Sequence, residues 1–210
     1  YSMVQTEDGK SLHSVSFFDG LLNPKQEVVK NSSENVALIS ETIYDHAGRA
    51  AVQTLPAPAS GGCLLKYYFK FNCDSVTENK YSYLNFENNI GNNCEALPGP
   101  LSRNTGAGKY YSPANTFQAY GNSIHRYVPD ADGYPILMKA FTPDNTGRIT
   151  ASGMAGKTFQ PGSGHETTFL YGTPQQEELD RLFGTDAGYR SFYRKTLTTD
   201  ANGQLTVQYQ

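Results

Sequence analysis

Apolar and polar residues alternate in short bursts along this chain, and a turn signal closes each burst. Val15-Ser16-Phe17-Phe18 and Gln26-Glu27-Val28-Val29 read as two strands around a turn at Asp19-Gly20. Asn31 to Asn35 is a polar turn. Val36-Ala37-Leu38-Ile39 and Glu41-Thr42-Ile43-Tyr44 then form a further strand, and Ala51-Val52-Gln53-Thr54-Leu55 returns beside it. The stretch from Pro56 to Gly62 ends regular structure. Alternation resumes over Tyr134–Phe141, over Glu166–Tyr171, over Tyr189–Thr198 and in Leu205-Thr206-Val207-Gln208-Tyr209-Gln210. One segment has helical spacing instead: residues 174–183, with Leu179, Leu182 and Phe183 on one face. Thr173 suits its N-cap, Pro174 its first turn, Gln176 the third position of a capping box, and Gly184 its end.

The turns between these strands repeat. Tyr44-Asp45-His46-Ala47-Gly48-Arg49 has Asp, two residues, Gly and a long polar residue, followed by strand formers. The order returns at Asp144-Asn145-Thr146-Gly147-Arg148 and at Asp200-Ala201-Asn202-Gly203-Gln204, and a looser copy stands at Phe17-Phe18-Asp19-Gly20. Asp can bond its own backbone two residues on, and Gly supplies the positive φ that closes such a turn. Repetition of a turn at intervals predicts a chain of hairpins. Arg49 and Arg148, each directly after the turn Gly, are placed to pair with the turn Asp or an adjacent strand and so lock hairpin register.

Residues 61–130 break the pattern. Asn is dense from Asn79 to Asn93, and Tyr recurs at Tyr67, Tyr68, Tyr81, Tyr83, Tyr110, Tyr111, Tyr120 and Tyr127. The organisation that follows is hairpins over 1–60, an irregular Tyr- and Asn-rich insertion over 61–130, and hairpins with the helix over 131–210. The fold class expected is mainly β: an antiparallel hairpin-repeat sheet with one short helix and an irregular insertion.

Composition fits a hairpin-rich β protein: 20 Gly and 11 Pro punctuate 210 residues, and 15 Tyr and 11 Phe supply core in the absence of Trp. The net charge of −3 and the lack of a basic stripe speak against nucleic acid as a partner. No apolar run is long enough for a membrane-spanning helix. The chain starts at Tyr1 and stops inside an alternating stretch, so it reads as a segment of a longer polypeptide.

Candidate chemistry is sparse. Cys63, Cys73 and Cys94 are widely spaced, which allows a disulfide in any of three pairings; a zinc site lacks its usual close ligand pairs. His165-Glu166 follows a Gly-rich loop, but no nucleophile or metal motif accompanies it, and a strand-entry His bonded to backbone is the plainer reading. Gly153-Met154-Ala155-Gly156-Lys157-Thr158 ends like a phosphate loop, yet Ala151 stands where its first Gly belongs. Asp130-Ala131-Asp132-Gly133 has the start of a calcium loop without the downstream Glu. No catalytic, cofactor-binding or metal-binding residue is therefore assigned. The tyrosines of the insertion suit either a β core or a platform for sugars.

Tyr44-Asp45-x-x-Gly48-Arg49 resembles the tyrosine-aspartate repeat of RHS/YD-repeat proteins. The wider pattern is similar to the large exported RHS-type proteins of Bacteroidota of the wall-associated protein A-like kind. It is carried by Glu41-Thr42-Ile43-Tyr44-Asp45-His46, Phe141-Thr142-Pro143-Asp144-Asn145-Thr146-Gly147-Arg148-Ile149, Phe159-Gln160-Pro161-Gly162-Ser163-Gly164-His165-Glu166-Thr167, Tyr171-Gly172-Thr173-Pro174, Glu178-Leu179-Asp180-Arg181-Leu182-Phe183-Gly184 and Asp200-Ala201-Asn202-Gly203-Gln204. It covers most of the chain outside roughly 60–125. The resemblance implies a hairpin sheet that spirals into a hollow shell around a C-terminal toxin or effector, and export by a route such as type 9 secretion. Some such proteins cut their cargo free with an aspartyl-protease-like core, whose motif has no match here.

The expectation is thus a non-enzymatic structural segment of a secreted or cell-surface protein. Its partners would be the remainder of its own chain and secretion-system or surface proteins. The alternative is an extracellular module that binds glycan or protein through its Tyr-rich insertion. A hydrolase centred on His165 and Glu166 comes third.

Overall fold

The computed structural model describes residues 1–5, 11–31, 35–59, 62–90, 97–119 and 124–210. Cys94, Tyr120 and most of the polar turn expected after Asn31 lie outside the described residues.

The protein is mainly β, as its alternation predicts. The strands are β1 (Ser2–Gln5), β2 (Ser11–Phe18), β3 (Pro24–Asn31), β4 (Val36–Tyr44), β5 (Ala50–Thr54), β6 (Ala57–Pro58), β7 (Ile136–Phe141), β8 (Ile149–Gly153), β9 (Thr167–Gly172), β10 (Lys195–Thr199) and β11 (Leu205–Tyr209). They form one open sheet of eleven strands, in the order β1-β2-β3-β4-β5-β7-β8-β9-β10-β11. Each strand pairs antiparallel with its neighbour in sequence, apart from one step: β5 pairs with β7 across the long insertion, with Val52 opposite Met138 and Thr54 opposite Ile136. β6 pairs with the first half of β4 while β5 pairs with the second half, so the chain turns a corner at Leu55-Pro56. β1 and β6 are strands that the sequence pattern does not announce.

Register sorts the side chains into two unlike faces. Gln26 lies opposite Glu41 and Val28 opposite Ile39, and the same side continues through Ile43, Val52 and Met138. Over β3 to β7 this face is apolar apart from Gln26, Lys30, Glu41 and Thr54. The other face mixes Ser16, Glu27, Ser40, Thr42, Gln53 and Lys139 with Val29, Leu38 and Leu137, and is the more polar of the two.

The insertion between β6 and β7 covers the apolar face. It contains α1 (Leu84–Ile90), α2 (Gly106–Tyr110) and two 3-10 turns, Thr116–Ala119 and Ile124–Tyr127. Phe86, Leu101 and Ala107 of the insertion bury themselves with Val52, Ile136 and Met138 of the sheet. A second cluster joins Val28, Ala37, Ile39 and Ala59. Burial of each large side chain contributes roughly 1.5–3 kcal/mol, so the insertion supplies much of the core. Cover ends near β7. On β9 to β11 the same face shows Leu170, Leu205 and Val207 to solvent, at 66%, 59% and 38% exposure.

Three expectations change. The single predicted helix is joined by α1 and α2. That helix, α3, runs Gln176–Phe183 rather than from residue 174, and Gln175 replaces Thr173 as its cap, with Glu178 accepting from the Gln175 amide at 3.4 Å. Pro174 is buried in extended chain, while the Gln176 side chain donates to the Gly188 carbonyl and accepts from the Arg190 amide, so it is not available to a capping box. Of the predicted apolar face, Leu179 is buried, whereas Leu182 and Phe183 stay largely exposed. The strand expected over Tyr189–Thr198 is shortened to β10, because Arg190–Phe192 forms a 3-10 turn. No helix among the described residues is long and apolar enough to cross a membrane.

Candidate functional site: clamped turns and a polar stitch

The repeated turns share one geometry at three of four places. At Asp45 the amide donates to the Arg49 carbonyl at 3.0 Å, and the Gly48 amide donates to the Asp45 carbonyl at 3.0 Å. The Asp45 carboxylate accepts from the amides of Ala47 and Arg49, both at 2.9 Å. The same four bonds recur at Asp200, with Gly203, Asn202 and Gln204. They recur at Asp19 with Leu22, Leu21 and Asn23. Each is a three-residue hairpin loop whose last residue takes positive φ: 74° at Gly48, 79° at Gly203 and 63° at Leu22.

The first turn therefore departs from the sequence reading. Gly20 is not its left-handed residue; Leu22 is. The Asp144 turn departs too. Its hairpin closes between the Thr142 amide and the Arg148 carbonyl, which makes a five-residue loop with positive φ at both Asn145 and Gly147. Pro143 has no amide to donate, so the loop widens around it. Asp144 keeps the bond from the amide two residues on, Thr146, at 3.1 Å, and adds the hydroxyls of Thr142 and Thr146.

Arg49 and Arg148 each hold their turn Asp, both at 2.7 Å. Each guanidinium also lies over an aromatic ring on the next strand of the sheet. Arg49 stands 4.5 Å from the Phe141 ring centre and reaches the Thr142 carbonyl; Arg148 stands 5.0 Å from the Tyr171 ring. At the first turn Tyr44, again on the next strand, donates its hydroxyl to the Pro24 carbonyl at 2.9 Å. Each of these three turns is thereby fastened to the strand that follows its hairpin in the sheet, by an aromatic residue near that strand's end. A cation over a ring adds roughly 0.5–1 kcal/mol at exposed sites and more when desolvated.

Carboxylate acidity follows these bonds. Burial alone pushes Asp45 up, but the Arg49 amide and guanidinium and the Ala47 amide outweigh it and hold the carboxyl below its ordinary range. The Asn23 amide does the same for Asp19, and the Thr142 and Thr146 hydroxyls with Arg148 hold Asp144 far down.

A second polar cluster lies under the insertion and has no signature in the sequence. Glu41, 7% exposed, projects from β4 into the apolar face. Its carboxylate accepts from Gln26 at 2.7 Å, Asn72 at 2.9 Å and the Lys80 ammonium at 2.7 Å. Lys80 also donates to the Tyr67 hydroxyl and lies over the Tyr67 ring. Burial pulls the Lys80 ammonium down, but Glu41 and Tyr67 more than offset this and leave it raised. Gln26 brackets Tyr68 by accepting from its amide and donating to its carbonyl. Asn72 accepts from the Ala107 amide at 2.8 Å, at the start of α2. A Cβ at Gly106 would stand 2.2 Å from Asn72 Oδ1, so this approach requires glycine. The cluster stitches the insertion onto the sheet.

The remaining candidates resolve as local structure. His165 is exposed, and its Nδ1 meets the Ala201 carbonyl at 3.2 Å. Burial raises Glu166, but the amides of Gly162 and Gly164 and the Ser163 hydroxyl outweigh that, so it organises its own loop. Asp130 accepts from the Asp132 amide, an Asx turn. Lys157 and Thr158 sit in a 3-10 turn with no following helix. Cys63 and Cys73 are free thiols, and their sulfurs meet the Val36 and Lys70 carbonyls.

Residues 2–98 match the family model described as a domain of unknown function, DUF6443. The matched stretch runs from β1 through α1 and stops before β7. None of the curated proteins matches the chain.

Proposed function

We propose that this chain is a structural segment of an exported RHS/YD-repeat protein, one that builds part of a β shell rather than catalysing a reaction. The observation that carries the reading is the repeated fastening of a hairpin turn to the strand that follows it in the sheet. Tyr44, Phe141 and Tyr171 stand at equivalent strand ends and grip the turn exit of the preceding hairpin. Such a device extends a sheet by one hairpin at a time. Gln204 occupies the corresponding position after the last turn, beside the free edge of β11. The apolar strip of Leu170, Leu205 and Val207 runs to that edge. An open edge with an apolar face is a surface that further strands cover. In this reading the enclosed cargo is a C-terminal toxin or effector, and the partners are the rest of the polypeptide and the export machinery.

Amide hydrogen exchange tests it. The amides of 205–209 are compared in this chain and in the longest native polypeptide that contains it. The shell reading expects strong protection of β11 in the longer protein only. Equal exchange in both removes the reading.

A further inference from the structure

The polar cluster under the insertion holds more than a stitch needs. Lys80 is a primary amine, Asn72 offers a carbonyl carbon with a leaving group, and Glu41 spans the two with one carboxylate oxygen for each. Lys80 Nζ donates to Glu41 Oε1 at 2.7 Å, and Asn72 Nδ2 donates to Glu41 Oε2 at 2.9 Å. All three are shielded from water: Asn72 is 3% exposed, Glu41 7%, and the Lys80 side chain 18%. Lys80 also lies over the rings of Tyr67 and Phe69, 4.7 and 5.6 Å from their centres. A buried ion pair has lost the hydration of both charges. A proton passed from Lys80 to Glu41 makes both groups neutral and leaves an amine that is a nucleophile.

The Asn72 amide is held for attack. Its Oδ1 accepts from the Ala107 amide at 2.8 Å while Nδ2 donates to Glu41, so the two ends are not interchangeable. The Ala107 N–H stands where negative charge gathers on Oδ1 as the carbon becomes tetrahedral. An antiparallel bridge between Cys73 and Lys80 keeps the two segments side by side. A cavity of about 20 Å³, bordered by Glu41, Asn72, Lys80 and Tyr81, has room for one molecule the size of water or ammonia. Gln26 also donates to Glu41, but to Oε1, the oxygen that Lys80 uses, and its Nε2 is shared with the Tyr68 carbonyl. Asn72 takes the other oxygen, from which a proton can be delivered.

We propose that Lys80 and Asn72 join in an isopeptide bond, with Glu41 as the proton carrier. Glu41 takes a proton from the Lys80 ammonium at Oε1. The freed Nζ electron pair attacks Asn72 Cγ, and Oδ1 becomes an oxyanion held by the Ala107 amide. Glu41 gives its proton from Oε2 to Nδ2 and takes a second one from Nζ. The Cγ–Nδ2 bond then breaks, ammonia leaves, and the Cγ carbonyl reforms. Glu41 ends protonated and passes that proton to the ammonia. The product is a neutral Nζ–Cγ amide that closes residues 72–80 into a ring, and no oxidant or cofactor takes part. The ion pair in the structure is the reactant state. The reaction occurs once, on the chain itself, and turns over no substrate, so it does not depend on the shell reading.

Intact-mass spectrometry of the folded 210-residue chain, followed over days, tests the proposal. The expected mass lies below that of the sequence by one ammonia, about 17 Da. After denaturation trypsin fails to cut after Lys80, and fragmentation of the digest joins Asn72 to Lys80. Two variants are expected to keep full mass. Glu41→Gln lacks the proton carrier, and Lys80→Arg keeps a cation beside Glu41 without the amine. Cooperative thermal unfolding of Lys80→Arg shows that its fold is intact. The parent chain decides the matter even where a variant fails to fold. Full mass with Lys80 open to trypsin overturns the proposal. So does an ammonia loss with Lys80 still cut, which places the loss in a succinimide elsewhere, and so does a bond from Lys80 to Gln26.

Discussion

At the scale of single residues, the turns set up a controlled comparison. Leu22, Gly48 and Gly203 hold the same left-handed position in the same hydrogen-bond frame. A Cβ at either glycine meets nothing within 4 Å, so substitution there costs only backbone conformation. Gly48→Ala and Gly203→Ala are expected to destabilise by about 1 kcal/mol each. Leu22 is 81% exposed and gives up little packing, so Leu22→Gly is expected to leave stability level or raise it by up to about 1 kcal/mol. Urea midpoints of the three variants check this, and a clear loss from Leu22→Gly contradicts it. Asp45 holds two amides and a guanidinium with a side chain that is 1% exposed. Asp45→Ala is expected to cost about 2–3 kcal/mol, and Asp45→Asn about 1, since the amide keeps the turn and loses only the charge. The sign with pH follows. A carboxyl held down in the folded state stabilises fully above its unfolded value of about 3.9. That contribution fades as pH falls through the lower folded value. The acid limb of the stability profile is therefore expected to be shallower in Asp45→Asn than in the parent.

At the scale of elements, the central question is what holds the insertion down on the sheet. Glu41, Asn72 and Lys80 come from β4 and from two points of the insertion, and meet only after both are folded. Lys80→Met leaves the Glu41 carboxylate with two neutral donors in a buried place and is expected to cost about 2–3 kcal/mol. Glu41→Gln combined with Lys80→Met removes both charges and is expected to recover part of that loss. A double-mutant cycle from chemical denaturation measures the coupling, and additive single costs contradict it. Lys80 has its pKa raised, so its contribution is complete below the unfolded value and is lost as pH rises through the folded one. This layer of the structure was the least legible in the sequence. Period-two alternation and Asp-x-x-Gly turns are local, so most strands and the Arg49 and Arg148 pairs could be read directly. The partners of Glu41 in the insertion lie 31 and 39 residues away, and no local pattern encodes them. α1 and α2 escaped because seven and five residues are too short for a helical period, and Gly106 and Gly108 disguise the second. Leu22 escaped because a turn is read from glycine, and here leucine takes the glycine position.

At the scale of the whole molecule, two faces of one sheet have different fates. The polar face is finished, and the apolar face is finished only as far as the insertion reaches. Beyond β7 the helix α3 leans on the strand ends through Glu178, which joins Lys195 and Tyr209, and through Phe183 against the Tyr209 ring. It leaves Leu170, Leu205 and Val207 uncovered, next to the unpaired edge of β11. An edge and an apolar strip in one place form a template for further strands, whichever chain supplies them. The isolated 210-residue chain is therefore expected to self-associate across the micromolar to millimolar range, with a weight-average mass in sedimentation equilibrium that rises with concentration. Val207→Lys places a charge in the strip, opposite Leu197 of β10, and is expected to return the chain to monomer without loss of fold. The corresponding change on the polar face, Thr206→Lys, leaves the strip intact and serves as the control. A parent chain that stays monomeric throughout, or association that both variants abolish equally, shows that the strip on β9 to β11 is not a surface for added strands, and the sheet then ends where its last clamp does.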